Sequence, residues 1–236
     1  ACIDPFLLGE GGLKPPVEFG RSGADFIAGD AQHLAIPPNF GGPGLGIFGC
    51  RHNDENKSDL RNTPGRYIGQ AKDLNGRDCH VMVLSTREQH IRKEKATSNV
   101  CSNQAFLATL AGASILSQGS KGLGEAVELA NRNQQKVIDA IDSLEGIELA
   151  YTENISPTEL SILTDKPAST LQNNARAAGI HLGVNISDRI KIPKKNVELI
   201  KLSFSNLHSE ENINSLISFL QSEFSSALSE NSKNSF

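Results

Sequence analysis

The chain has no tryptophan, two tyrosines and one methionine, and none of its four cysteines forms a Cys-x-x-Cys pair. Cys2, Cys50, Cys79 and Cys101 stand far apart, and the six histidines do not gather around them, which argues against structural zinc. In a chain of 236 residues that spacing favours free thiols in a reducing, cytoplasmic compartment over a disulfide framework. No apolar run is long enough to span a bilayer. The opening Ala1-Cys2-Ile3-Asp4-Pro5 carries no basic region followed by an apolar run, so no signal peptide is expected. With 23 basic and 27 acidic residues the formal charge is −4, and no basic block points to nucleic acid. What remains can bury a real core, in one large domain or two small ones.

Glycine and proline punctuate the first 50 residues, so residues 4–23 read as loop. ADFIAG (24–29) has the apolar character of a short buried parallel strand, and LGIFGC (45–50) reads as another strand. Residues 51–62 form a polar insert. An Asn75-Gly76 tip then joins a strand starting at Tyr67 to a return strand over 79–84, as a hairpin. Residues 104–117 are alanine-rich and apolar enough for a helix buried on most of its surface. Glycines at 119–124 interrupt it before an amphipathic helix over 125–144. Beyond 147, strands over 147–151, 159–164, 180–186 and 199–204 alternate with helices. One helix runs from Pro167 to Gly179, and one is capped by Ser209 with a stripe of Ile213, Leu216, Ile217, Leu220, Phe224 and Leu228. That succession is a small α+β layer.

The densest polar stretch, STREQHIRKEKATSNVCSNQ (85–104), lies between the return strand and the alanine-rich helix. Ser85 with Glu88, or Thr86 with Gln89, fits a capping box, and Thr97, Ser98 and Asn99 can cap the helix that follows. A basic surface with hydroxyl groups at a helix start suits a carboxylate or phosphate. The alternative is a solvated helix held by pairs such as Glu88 with Arg92, each contributing about 0.2–0.5 kcal/mol.

Three runs, GDAQHLAIPPNFGGPGLGIFG (29–49), PGRYIG (64–69) and TREQHIRKEKATSNVCSNQA (86–105), closely resemble the P-protein family of the glycine cleavage system. The resemblance is narrower still to the alpha subunit of its two-subunit form. It is strong over 4–116 and weak beyond 147. It implies an α/β fold of the type I, aspartate aminotransferase-like class of pyridoxal phosphate enzymes. It also implies that the chain is the C-terminal half of a longer one. Residues 1–118 would be the last part of a large domain, 119–146 a connecting helix, 147–228 a small α+β domain and 229–236 a polar tail. Family enzymes decarboxylate glycine, with pyridoxal phosphate as electron sink, and pass the aminomethyl group to the lipoyl arm of the H-protein.

The family's catalytic subunit carries a Schiff-base lysine after a histidine, just ahead of a Gly-Gly-Pro loop. The corresponding place here is taken by Gln32, and no lysine occurs between Lys14 and Lys57. The resemblance therefore implies a non-catalytic subunit with no covalently bound cofactor. It would complete the site of a lysine-bearing partner that binds most of the pyridoxal phosphate, in a heterotetramer served by glycine and lipoylated H-protein. A self-contained aminotransferase-like enzyme and a purely structural piece are the alternatives. Gly41, Gly42 and Pro43 are expected at the partner contact. Arg66, Thr86, Arg87, His90, Arg92, Thr97, Ser98 and Asn99 are expected to line the interface near the partner's pocket, or to serve adhesion alone. Asp30 and His33 are expected to have local structural roles, and Cys101 to be a buried thiol.

Overall fold

The computed structural model describes residues 1–37, 42–51, 53–60, 62–63, 67–83, 88–96, 102–153, 155–190, 194 and 196–224. The chain divides into two compact units, Ala1–Leu123 and Gly124–Phe236.

In the first unit, β1 (Phe26–Asp30) and β2 (Gly46–Cys50) form an antiparallel ladder from Phe26↔Cys50 to Asp30↔Gly46. On its other side β1 meets the first residues of the chain in parallel. Ile3 donates to the Ala28 carbonyl at 2.8 Å, and Ala28 donates to that of Ala1 at 3.0 Å. A Cβ on Gly29 would lie 2.3 Å from the Ile3 carbonyl oxygen, so this approach requires glycine. A short helix α1 (Gln32–Ala35) follows β1, and α2 (Lys57–Leu60) lies in the polar insert. The hairpin expected at Asn75-Gly76 is present as β3 (Tyr67–Lys72) and β4 (Asp78–Val83). Its tip is organised by Asp73, whose Oδ1 accepts the N–H groups of Asn75 and Arg77 at 2.8 and 2.9 Å. The Arg77 N–H, ahead of the Asn75 N–H and the Arg77 guanidinium, holds that carboxyl below the usual carboxylate range.

Beyond the hairpin come the single turn α3 (Gln89–Arg92), a 3-10 turn over Lys93–Lys95, and α4 (Ser102–Ile141). α4 is interrupted at Gly119, where φ is 67° and ψ 177°. The core of this unit is small. Among the described residues, Ala31, Leu34, Ala111 and Leu123 are buried together, with Phe6, Leu45, Ile47 and Ile115 packed around them.

Two expectations change here. The apolar run around β1 has a parallel neighbour in the first residues but an antiparallel one in β2, and in place of a buried strand its faces alternate between exposed and half-buried. Phe26 and Phe48 remain about 40% exposed, with ring centroids 6.2 Å apart. The alanine-rich helix is likewise mostly exposed. Leu107 and Ala111 are buried, yet Phe106 is 63% and Leu116 85% exposed. Apolar composition reports what a helix can bury. The spacing 107–111–115 sets the one stripe that meets a core.

The second unit has a four-stranded antiparallel sheet in the order β5-β6-β8-β7. Its strands are β5 (Ile147–Leu149), β6 (Glu159–Thr164), β7 (Val184–Asn185) and β8 (Glu198–Ser203). Alternation along β6 turns Leu160, Ile162 and Thr164 inward, and Leu160 and Ile162 lie opposite Leu202 and Ile200. These residues pack with Val137, Ile138 and Ile141 of α4, with α5 (Ala168–Ala177) and with α6 (Glu210–Glu223). Charged pairs such as Lys201 with Glu159, at 2.7 Å, occupy the opposite face. Two buried amides tie connections to α4. Asn133 donates to the His208 carbonyl at 3.0 Å, and Gln134 donates to those of Ser156 and Glu159 at 2.7 and 2.9 Å.

α5 follows Pro167 and ends before Gly179, as expected. Ser209 caps α6 in a reciprocal bond pair with Asn212. The Lys136 ammonium, by its hydrogen bond and then its charge, lowers the carboxyl of Glu210 in the first turn of α6. The strand expected over 180–186 shrinks to two residues. Gly183 sits at φ +47°, with its N–H turned to the His181 carbonyl at 3.0 Å, which ends the extended run.

Nineteen buried apolar side chains in this core, against four in the first unit's, place most of the chain's burial in the second unit among the described residues. Replacing Ile162 with alanine is therefore expected to lower the unfolding free energy by about 2–5 kcal/mol in denaturant titration. Leu116→Ala is expected to change it by less than about 0.5 kcal/mol.

Candidate functional site

The end of β1 is fixed by the ladder and by one further bond. The N–H of Ala31 donates to the Leu45 carbonyl at 2.7 Å, and Ala31 is buried. The chain then turns, because the Asp30 Oδ1 accepts the N–H of Gln32 at 2.7 Å and competes with continued strand. Gln32 opens α1 half-buried, and a Cβ on Gly44 would lie 3.7 Å from its Oε1, which sets its side chain beside the loop leading to β2. His33 is exposed. Its Nε2 lies 3.4 Å from Asp4 Oδ1, and its ring meets Phe6 edge-on at 6.0 Å. The same Asp4 oxygen accepts the Phe6 N–H at 2.9 Å. Asp30 and His33 thus have local bonding roles, and the cluster combines two carboxylates, a carboxamide and an imidazole.

The second candidate region is α3 and the turn after it. His90 and Arg92 lie on α3, and every residue over 89–95 is exposed. The expected capped helix amounts to one turn. Glu88 stands at its N-cap with φ −76° and ψ 154° and makes no side-chain capping bond. At 2% exposure Glu88 is buried, while the turn that follows it is exposed. Lys93 has φ 53° and ψ −124°, a conformation natural to glycine that costs a residue with a Cβ about 1–3 kcal/mol.

Of the residues expected at a partner contact, Gly42, Pro43, His90 and Arg92 are among those described. Gly41, Arg66, Thr86, Arg87, Thr97, Ser98 and Asn99 lie outside them, as do Ser85 and Cys101. Lys93 was missed. Its sequence neighbours advertise a basic helix and carry no turn signal. Open clefts of about 310 and 290 Å³ occur in the second unit, one beside Arg176 and His181 and one beside Asp165 and Lys194. None of the expected residues lines either cleft.

The fold defines a class first. The chain superposes on a mutant of C-DES with glycine covalently linked to the PLP cofactor, at a TM-score of 0.51 and 17% identity. That alignment covers 85% of this chain and 46% of the other. The fold is the α/β fold of type I pyridoxal phosphate enzymes. A crystal structure of glycine decarboxylase (P-protein) of the glycine cleavage system, in inhibitor-bound form, superposes at a TM-score of 0.73 with 27% identity. It is matched over 94% of this chain and 47% of its own. Residues 4–220 match the family profile "Glycine cleavage system P-protein", and the chain belongs to that family. Within it, the "Probable glycine dehydrogenase (decarboxylating) subunit 1" of Thermoplasma volcanium is 38% identical over 193 residues, 81% of this chain and 41% of the relative. The chain thus spans about two fifths of the length of that relative.

The turn that presents Gln32 depends on one carboxylate. Asp30→Ala is expected to lower stability by about 0.5–1.5 kcal/mol in denaturant titration, with the far-ultraviolet spectrum unchanged.

Proposed function

We propose that the chain is a non-catalytic part of a glycine-cleavage P-protein, required by a lysine-bearing partner subunit whose site it completes. The observation that carries this reading is the chemistry at the end of β1. A carboxamide, Gln32, stands where an amine is needed to hold pyridoxal phosphate covalently, and residues 15–56 contain no lysine. The cluster around it has its carboxylates and imidazole engaged locally. This donor set does not fit a covalently held cofactor, so no chemical step is assigned to it.

The similarity to subunit 1 proteins and to the P-protein structure supports the rest. Pyridoxal phosphate is bound mainly by the partner, glycine is the substrate of the assembled complex, and the lipoyl arm of an H-protein is the acceptor, in a heterotetramer. Residues 1–118 act as part of a large domain and 147–228 as a small one, with 119–146 between them. Exposed apolar side chains such as Phe26, Phe48, Phe106 and Leu116 suit a surface that other polypeptide covers. Gly41, Gly42, Pro43 and Arg66 belong to the partner contact, together with Thr86, Arg87, His90, Arg92, Thr97, Ser98 and Asn99. The thiols of Cys2, Cys50 and Cys79, free among the described residues, suit a reducing cytoplasm.

The test is spectroscopic. Pyridoxal phosphate added to this chain alone is expected to give no band of a lysine-linked cofactor, whereas the chain with its lysine-bearing subunit gives one. A band in this chain alone, fixed by borohydride onto one of its own lysines, would overturn the proposal.

A further inference from the structure

We propose that Asn75 is a site of spontaneous covalent modification. The backbone nitrogen of Gly76 closes on the Asn75 carboxamide and converts it to aspartate and isoaspartate, at a rate held down by Asp73. The proposal stands apart from the subunit reading above, and its only co-reactant is water.

Such a closure needs a carboxamide without a competing partner, an unhindered backbone nitrogen after it, and access for water. All three meet at the tip between β3 and β4. Leu74, Asn75, Gly76 and Arg77 are all exposed, Leu74 fully. The Asn75 carboxamide has no hydrogen-bond partner among the described residues. Gly76 lies at φ +79°, and a Cβ there would meet nothing within 4 Å, so the space beside its nitrogen is open. Asn-Gly occurs nowhere else in the chain. Asn214-Ser215, by contrast, lies inside α6, where the helical ladder holds the backbone.

In the step itself the Gly76 nitrogen gives its proton to water or hydroxide and attacks Cγ of Asn75. The N–Cγ bond forms, the Cγ–Nδ2 bond breaks, and Nδ2 leaves as ammonia. Water then opens the five-membered imide. Opening at Cγ restores the main chain and leaves aspartate, whereas opening at the backbone carbonyl leaves isoaspartate. One water enters and one ammonia leaves, with no change of oxidation state.

The closed tip opposes this chemistry. The Gly76 N–H donates to the Asp73 carbonyl at 2.9 Å, which ties up the nucleophile. Asp73 also accepts the Asn75 and Arg77 N–H groups on Oδ1, and the Arg77 Nε–H on Oδ2 at 2.9 Å. Its own N–H donates to the Arg77 carbonyl at 2.9 Å. One residue therefore holds the nitrogen in its turn bond, and closure proceeds from the fraction of tips that have opened. Either product puts a second carboxylate beside Asp73 and takes the formal charge from −4 to −5. Isoaspartate also inserts a methylene into the main chain between the bonds that Asp73 makes. The β3–β4 ladder starts outside this point, at Lys72↔Asp78, so the change is confined to the tip.

The experiment keeps the full chain for days in mildly alkaline buffer and follows it by peptide mass mapping, with fragmentation that distinguishes isoaspartate from aspartate. The peptide holding residue 75 is expected to gain the mass difference between an amide and an acid, with isoaspartate present, while Asn214 stays unchanged. Asp73→Ala is expected to speed the conversion by about tenfold, because the side-chain bonds that close the tip are lost. Asp73→Asn, which keeps an acceptor oxygen, should fall between that variant and the wild type. Absence of conversion at residue 75, or aspartate without isoaspartate, would overturn the proposed closure. An unchanged rate in Asp73→Ala would overturn the guarding role of Asp73.

Discussion

The hydrogen bond from the Ala31 N–H to the Leu45 carbonyl is the constraint on which the first unit turns. It extends the β1–β2 ladder by one step past Asp30, and it buries a residue with almost no side chain at the point where the strand must end. The Asp30 carboxylate then diverts the backbone into α1, so position 32 stands at a strand end beside the glycine-rich loop. Any residue placed there would be well presented for chemistry. The sequence places a carboxamide there, which can donate and accept hydrogen bonds and cannot form an imine. The proposed subunit role starts from this carboxamide at the end of β1.

The two units differ in how they hold themselves together. The second has a sheet with one apolar and one charged face, helices with identifiable caps, and buried amides that tie its connections down. The first has a small core, a two-stranded ladder, a hairpin and a half-exposed apolar helix. Its cationic turn retains a backbone conformation that a glycine would have relaxed. Among the described residues most apolar burial lies in the second unit and the strained Lys93 in the first, whereas exposed apolar side chains occur in both, Leu116 in the first and Leu207 in the second.

Local chemistry was legible in the residues. Asn75-Gly76 marked the hairpin, Pro167 and Gly179 bracketed α5, and Ser209 began α6, since each acts through its own backbone or a near neighbour. The runs around Gln32 and His90 were specific enough to name the family. What was not legible depends on residues far away in sequence. The partner of β1 is chosen by β2 and by the first three residues, so an apolar run alone carries no pairing direction. Exposure of Phe106 and Leu116 depends on which stripe of α4 meets a core. The burial of Glu88 and the reversal at Lys93 leave no compositional trace, because both residues sit in a run that reads as an ordinary charged helix.

The central claim is that this chain contributes to glycine decarboxylation without performing it. Exchange of labelled bicarbonate into the glycine carboxyl tests it most directly, measured with pyridoxal phosphate and H-protein for this chain, for the lysine-bearing subunit, and for the two together. The account predicts exchange only in the mixture. Exchange catalysed by this chain alone would contradict it, and so would full exchange by the lysine-bearing subunit without it.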